Sequence, residues 1–556
     1  MASPAMTFSR ALIANLVAND VRDIVLCPGS RSGPLAHALA EAAEGIVLGA
    51  PRIRLHVRID ERAAGFLALG LAIANGASAV VTTSGTAVGN LLPAIMEAHH
   101  SGIRLFAITA DRPFDLRATG ANQTTDQRAI LGPFVRLARD VMPPGLGRDL
   151  DAEAAALVRE AVARSVGATS IGATSIGATS YDAVPSYNAA PSLPRLGTGP
   201  VHLNLQFAEP LGPGRGPWPA AAGADFTFAP EDSVPPLPTV ERGVVIAGDR
   251  AGPAAATIAS SCGWPLLAEP TSGARAGGSV VPGYAALLST DEGKALVRET
   301  DFVLLIGRAT LSRGVRALID AAPTLWVARH GSPWREAPVA AEVVVPDVPF
   351  DWIRAEGAPV EARDWLARWL ASAAEPEVAP WGIEAIAATV LASVGDKPLV
   401  VGSSRAIRAV DAVLPGVPAS DRRMIVANRG LAGIDGTLST ASGLALGLDA
   451  PVTALVGDLT FLHDAGGLLV GSLERRPSLR IVVVNDNGGG IFSEIEHARA
   501  DPEAFARVFT TPHGIDLGAV ANAYGASHER VADVESLRRA LENPPVGVEV
   551  IEAALP

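Results

Sequence analysis

Short apolar runs that end in polar, glycine-rich turns recur along the chain, and each leads into a longer segment with apolar positions at helical spacing. The first section contains DIVLCPG (23–29), RLHVRID (54–60), SAVVTTSG (78–85) and IRLFAITAD (103–111), and VHLNLQF (201–207) closes it. Strand–turn–helix in repetition predicts a parallel α/β sheet covered by helices on both faces. In such sheets ligands sit beyond the carboxyl ends of the strands, where the loops PGSRSGP, RIDE, TTSGT and TADRP fall. Residues 1–23 read as an amphipathic helix, because no basic segment precedes the apolar run and Asn15, Asn19 and Asp20 interrupt it. Residues 65–96 carry no charge, yet Asn75, the TTSGT run, Asn90 and Pro93 divide them. A helix, a buried strand and a second helix are expected there rather than a membrane span.

A Pro-rich connection at 208–240 leads to a second set of strands, GVVIAGD (243–249), DFVLLIG (301–307) and TLWVAR (324–329). Acidic, Ala-rich sequence around 350–380 reads as a linker and helix. The third set is PLVVGSS (398–404), MIVANRG (424–430), VTALVGD (452–458), LRIVVVND (479–486) and GVEVIEA (547–553). The expected fold is three doubly wound parallel-sheet α/β domains in series, at 1–210, 211–375 and 376–556. The tandem pentapeptide VGATS-IGATS-IGATS and the Pro-rich stretch after it mark 166–198 as a low-complexity surface insertion.

Composition narrows the chemistry. A formal charge of −13 over 556 residues argues against a nucleic-acid-binding field. Only Lys294 and Lys397 among the 45 basic residues are lysines, and neither lies in a GK[ST] loop, so a Walker A nucleotide site is excluded. Cys27 and Cys262 provide neither a disulfide framework nor a zinc site, which fits a reducing, cytoplasmic setting.

The most informative pattern lies in the third section. Gly457-Asp458 ends one apolar strand, Asn485-Asp486-Asn487-Gly488-Gly489-Gly490 ends the next, and the residues between suffice for one crossover connection. Two carboxylates at neighbouring strand ends form a hard oxygen site suited to Mg²⁺, which shares its shell with phosphate oxygens. The glycines allow backbone amides to approach phosphate closely.

This arrangement is similar to the metal–diphosphate motif of thiamine diphosphate enzymes, and Glu61 in HVRIDERAAGF matches the glutamate those enzymes set against N1′ of the aminopyrimidine. That glutamate holds a proton whose position promotes the imino tautomer, and N4′ of that tautomer takes the proton from the thiazolium C2. PGSRSGPL (28–35), TSGTAVGNLLPA (83–94), TADRP (109–113), GANQ (120–123), NRGLAGIDGTLSTASG (428–443) and NDNGGGIF (485–492) resemble one branch in particular. It is the 2-succinyl-5-enolpyruvyl-6-hydroxy-3-cyclohexene-1-carboxylate synthase family of menaquinone biosynthesis.

The resemblance implies a transferase that decarboxylates 2-oxoglutarate and adds the resulting succinyl-semialdehyde carbanion to isochorismate in a 1,4 sense. Thiamine diphosphate and Mg²⁺ (or Mn²⁺) are the implied cofactors. Residues 1–210 would bind the pyrimidine and 376–556 the diphosphate and metal. Glu61 is the implied catalytic residue, Ile434 the apolar wedge behind the cofactor, and Gly457, Asp458, Leu459, Asp486, Gly488, Gly489 and Ile491 line the cofactor. Asp458, Asp486 and the Gly488 carbonyl fall on the metal ligands. Both substrates are dianions, and Ser30, Arg31, Arg112, Asn122, Gln123, Arg313, Ser404, Arg408, Arg429 and Phe492 are the implied substrate contacts. Three positions depart from the family pattern: Leu459 for glycine, Asp486 for asparagine and Ser403 for asparagine. The glutamate and the diphosphate motif lie in different sections, and in these enzymes such pairs meet between subunits, so the resemblance implies a homodimer at least, with a homotetramer also compatible. Another thiamine diphosphate carboligase or decarboxylase of 2-oxo acids, and a non-catalytic binding protein on the same fold, are the alternative readings.

Overall fold

The computed structural model describes residues 2–45, 47–168, 170–171, 197–224, 226–227, 234–329, 340–354, 359–373, 378–418, 423–494 and 496–556. Most of the expected insertion at 166–198 lies outside these residues. The apolar runs form three all-parallel sheets with helices between their strands, as the alternation predicts. Across the first sheet the order is Arg54–Val57, Asp23–Leu26, Ser78–Thr82, Leu105–Asp111, Val201–Gln206, Ala138–Val141. The second runs Leu266–Ala268, Gly243–Ala247, Phe302–Ile306, Thr324–Ala328, Val343–Val345. The third runs Ile425–Val426, Leu399–Val401, Val452–Gly457, Leu479–Asn485, Val548–Ala554, Ser527–Val531. Numbered by their own chain order, the strands of the first and third sheets follow the same sequence, 2-1-3-4-6-5. Each therefore reverses direction between its first and third strands, and the crevice beyond that reversal is where open α/β sheets bind ligands.

Within the three parallel sheets, four strands have no counterpart among the apolar runs: Ala138–Val141, Leu266–Ala268, Val343–Val345 and Ser527–Val531. All four lie at sheet edges. Ala138–Val141 and Ser527–Val531 carry exposed charged residues and so present no apolar run, while Leu266–Ala268 and Val343–Val345 are apolar but only three residues long.

The chain groups into two units. The first comprises residues 1–230, 438–450 and 466–477; the second comprises 231–437, 451–465 and 478–556. In the first, one core joins the helices Pro4–Ala18, Gly33–Glu44 and Leu150–Ser165 to one sheet face, around Phe8, Leu12, Leu39 and Val158. A second core covers the other face with Phe66, Leu67, Leu71, Val88 and Ile95. Residues 65–96 thus form the helix Glu61–Asn75, the fully buried strand Ser78–Thr82 and the helices Thr86–Asn90 and Leu92–Ser101. No helix among the described residues is long and apolar enough to cross a membrane.

The helix Glu61–Asn75 crosses the helix Thr437–Leu448 of the same unit at close range. A Cβ on Gly70 would lie 2.1 Å from the Thr440 carbonyl oxygen, and one on Gly443 would lie 2.1 Å from that of Leu67. Only glycine permits this backbone approach. In the second unit the middle sheet is covered on both faces, with Trp264 and Trp352 on one side and Trp365 and Trp369 on the other. The helices Ile383–Val394, Arg405–Val413 and Val534–Leu541 pack around Ile386, Val390, Ile407 and Leu537 over one face of the third sheet.

Candidate active site

In the first unit, Asp60 and Glu61 divide two tasks. Asp60 caps the helix, its Oδ1 accepting from the Arg62 N–H at 2.8 Å and the Ala63 N–H at 3.4 Å. Glu61 is the first helical residue, half-buried, and its Oε2 accepts from the Asn90 side-chain amide at 3.2 Å. With the helix terminus already capped, the Glu61 carboxylate is left for other chemistry. Cys27 lies nearby: burial first, then the Glu61 and Asp60 charges, push its thiol well above the ordinary range. It is therefore no nucleophile at neutral pH.

The loops after the first, third and fourth strands carry a cationic group. Arg112 Nη1 donates to the Gln123 carbonyl at 2.6 Å and to Ser84 Oγ. Ser84 Oγ in turn donates to the Gln123 carbonyl at 3.0 Å, and Gln123 Nε2 to the Ser84 carbonyl at 2.9 Å. Arg31 Nη1 donates to the Phe207 carbonyl at 2.8 Å. Burial, and then the Arg31 charge, lower the Arg112 pKa, so the two guanidiniums repel each other. Arg31 also lies 3.7 Å from the exposed carboxylate of Glu209, while Arg112 donates to a neutral carbonyl and a hydroxyl; two neighbouring guanidiniums suit a dianion. Ser30 and Asn122 are exposed beside them.

A buried polar network supports this group and has no signature in the sequence. Fully buried Gln127 accepts from the Gly85 N–H at 3.2 Å and donates to the Ala110 carbonyl at 3.0 Å and to Asn204 Oδ1 at 2.6 Å. Asn204 donates to Asp111 at 2.9 Å and to Asp140 at 2.8 Å, and Arg117 bridges the same two carboxylates.

In the second unit, Asp458 stands at the end of the strand Val452–Gly457, on the crevice side of the third sheet's reversal. Its carboxylate is buried and accepts from the Leu459 N–H at 2.6 Å and the Gly488 N–H at 2.8 Å. His513 adds a third partner, its Nε2 lying 3.2 Å from Asp458 Oδ2. The Ile515 N–H donates to His513 Nδ1 at 2.9 Å, so a neutral ring carries its proton on Nε2 and donates it to Asp458. Gly488 has φ +150°, and a Cβ there would lie 2.2 Å from the Thr510 carbonyl oxygen. Asp486 at the next strand end pairs with Arg405 Nη1 at 2.9 Å. Burial, then the Asp458 charge, raise the Asp486 pKa against the pull of Arg405.

Around these carboxylates, Gly489 donates to the Thr510 carbonyl at 2.7 Å, and Ile491 and Phe492 lie half-buried in the 3₁₀ turn Gly490–Glu494. The Phe492 ring packs 5.5 Å from that of Phe509. Ile434 is half-buried in the loop before the helix Thr437–Leu448. Ser404 precedes the helix Arg405–Val413 with φ +72°, a strained value for a non-glycine residue. Arg408 Nη1 donates to the Ser404 carbonyl at 2.9 Å. Arg429 is buried and donates to Thr310. Arg313 is exposed, with Glu496 3.7 Å away.

The donor set fits a metal–diphosphate group. Ser403 Oγ is buried at the end of the strand Leu399–Val401 without a hydrogen-bond partner, and a phosphate oxygen would satisfy it. No cluster of three or more His, Cys, Asp or Glu side chains capable of caging a metal occurs among the described residues. Two carboxylates and a carbonyl suit an ion that completes its shell with phosphate and water.

Comparison with known proteins bears on the identity of this site. Residues 6–130 match the thiamine pyrophosphate enzyme N-terminal TPP binding domain, and residues 415–545 match the C-terminal TPP binding domain. A 2-succinyl-5-enolpyruvyl-6-hydroxy-3-cyclohexene-1-carboxylate synthase from Kineococcus radiotolerans is 42% identical, over 99% of this chain and 96% of its own length. One from Paenarthrobacter aurescens is also 42% identical, over 98% of this chain and 93% of its own. The chain belongs to the 2-succinyl-5-enolpyruvyl-6-hydroxy-3-cyclohexene-1-carboxylate synthase family. Within that family it keeps the fold of the wider group. The benzoylformate decarboxylase of Polynucleobacter necessarius superposes with a TM-score of 0.67 at 17% identity, covering 99% of this chain and 98% of that one.

For a synthase of this family, Asp486 adds a negative charge where the sequence pattern leads one to expect asparagine. The structure offsets that charge in part with Arg405, whose guanidinium is shared with Glu494 at 2.7 Å. Neither Arg405 nor His513 stands out in the sequence. Arg405 lies three residues before Arg408 on the same helix, and the order of the residues does not say which of the two turns to Asp486. His513 is one of ten histidines and lies in no metal-binding spacing.

Proposed function

We propose that this protein catalyses the decarboxylation of 2-oxoglutarate and the 1,4-addition of the resulting succinyl-semialdehyde carbanion to isochorismate, with release of CO₂. The observation that carries the proposal is the near full-length similarity to named synthases in a chain that keeps Glu61, Asp458 and its arginine motifs. Thiamine diphosphate, when bound, supplies the acidic thiazolium carbon. Asp458, Asp486 and the Gly488 carbonyl would hold Mg²⁺ or Mn²⁺ and through it the diphosphate. Leu459, Gly457, Gly489, Ile434 and Ile491 would line the cofactor, and Glu61 would hold the proton at N1′. Arg31, Arg112, Arg408, Arg429 and Arg313, with Ser30, Asn122, Gln123, Ser404 and Phe492, would bind the two dianions. Each charge-assisted contact contributes about 1.5–3 kcal/mol.

The same reading places the enzyme in the cytoplasm, divides the chain at 1–210, 211–375 and 376–556, and makes it a homodimer or a homotetramer. In that assembly Glu61 of one copy serves the diphosphate half of another. The test is titration calorimetry with thiamine diphosphate and Mg²⁺, followed by CO₂ release from 2-oxoglutarate and product formation with isochorismate. Glu61→Gln is expected to abolish exchange of the cofactor C2 proton while leaving the melting temperature unchanged. Near-normal decarboxylation by that variant, or a preference for pyruvate, would overturn the proposal.

A further inference from the structure

Glu269 is 1% exposed, and the chemistry outlined above makes no use of it. It follows the strand Leu266–Ala268, far in sequence from any recognised motif. A buried carboxylate without partners would be costly, and this one is satisfied by a single turn. Its Oε1 accepts from the Thr310 N–H at 2.5 Å and the Leu311 N–H at 2.9 Å. Its Oε2 accepts from the Thr310 hydroxyl at 2.9 Å.

That last bond has a directional consequence. A hydroxyl has one hydrogen and two lone pairs. With its hydrogen given to Glu269, Thr310 Oγ1 can only accept, and what it accepts from is Arg429. Arg429 Nε lies 3.1 Å from Thr310 Oγ1, and Nη2 lies 3.0 Å from Oγ1 and 3.1 Å from the Thr310 carbonyl. Arg429 is itself only 4% exposed. The guanidinium is thus gripped along one edge by two oxygens whose orientation Glu269 dictates.

We propose that Glu269 is a positioning residue, which fixes the Thr310 turn and hydroxyl so that Arg429 presents its guanidinium to an acidic substrate in one orientation. The inference rests on the reading of Arg429 as a substrate anchor. Glu269→Gln would keep the shape and the acceptor for the two backbone N–H groups. Its amide would donate where the carboxylate accepted, so it would compete with Arg429 for the lone pairs of Thr310. Thr310→Val would remove the hydroxyl and leave the backbone bonds in place.

The experiment measures KM for 2-oxoglutarate and for isochorismate separately on the holoenzyme, together with cofactor C2-proton exchange and melting temperature. Working at pH 8 keeps Glu269 ionised, since burial pushes its carboxyl up to about 7. Glu269→Gln and Thr310→Val are each expected to raise KM for one of the two substrates roughly tenfold, as loss of a charge-assisted contact does. The other KM and the exchange rate should stay within about twofold, and the double variant should be no worse than either single one. Thr310→Ser should restore parental values. Unchanged KM values in both variants, a Thr310→Ser protein as impaired as Thr310→Val, or an exchange rate and melting temperature that fall as KM rises would each overturn the proposal. If the parent protein releases no CO₂ from 2-oxoglutarate, the substrate reading fails instead. The crystal structure of Glu269→Gln then decides the positioning role, and an unmoved Arg429 guanidinium would refute it.

Discussion

His202 is wholly buried in the strand Val201–Gln206, with Nε2 2.8 Å from Thr109 Oγ1, and burial lowers its pKa from 6.5 to about 4. The folded protein keeps this ring neutral, whereas the unfolded chain takes up a proton below about 6.5. Stability should therefore fall as pH drops through 6.5 toward 4, with this residue accounting for about 2 kcal/mol by pH 5. Denaturant midpoints at pH 7.5 and 5 check it: His202→Gln should lose less stability between the two than the parent. Equal losses would show that His202 contributes nothing. At the same scale, Asp458 has two backbone N–H donors converging on it, and an asparagine in its place would turn an amide N–H₂ toward one of them. Asp458→Asn should weaken Mg²⁺-dependent binding of thiamine diphosphate roughly 10–100-fold by calorimetry. Retention of parental affinity would exclude Asp458 as a ligand. Arg405 and His513, both in contact with the predicted metal ligands, escape the sequence because their partners lie 81 and 55 residues away.

Among the elements, the helix Glu61–Asn75 is apolar almost all round, which marks a helix buried on every side. Its pattern announces that burial but not the neighbour that causes it. The neighbour is the helix Thr437–Leu448, and the crossing depends on Gly70 and Gly443. Gly70→Val should destabilise the protein by about 3 kcal/mol or more, because the clash is with a backbone carbonyl that cannot rotate away. A melting temperature within about 2–4 °C of the parent, the shift produced by 1 kcal/mol in a large domain, would contradict the close crossing. The central strands are legible because each is a continuous apolar run buried on both faces. The edge strand Ser527–Val531 is not, since exposed polar residues interrupt it, and Val343–Val345, though apolar, is only three residues long.

At the scale of the whole molecule, the first and third sheets repeat one strand order, and each puts its candidate residues at the carboxyl ends of its strands. The proposed assembly, in which Glu61 of one copy serves the diphosphate half of another, makes a quantitative prediction. Glu61→Gln protein, inactive, and Asp458→Asn protein, assayed at a cofactor concentration too low to fill its weakened site, should regain activity when co-expressed. Random pairing leaves half the dimers mixed with one intact site each, or roughly a quarter of parental activity. No recovery from a mixture shown to contain mixed dimers would exclude a site shared between copies.

The sequence by itself determined where the strand-end loops lie and which candidate residues they carry. A strand end and the turn after it are contiguous, so Glu61, Asp458, Asp486 and the arginine motifs could be read directly. The tertiary structure alone decided which groups hold those residues in place. Gln127 and Asn204 lie 77 residues apart, Glu269 and Thr310 41, and Thr310 and Arg429 119. Hydrogen bonds over such separations leave no periodicity in the chain, because they form only where parallel strands bring distant loops to a common edge.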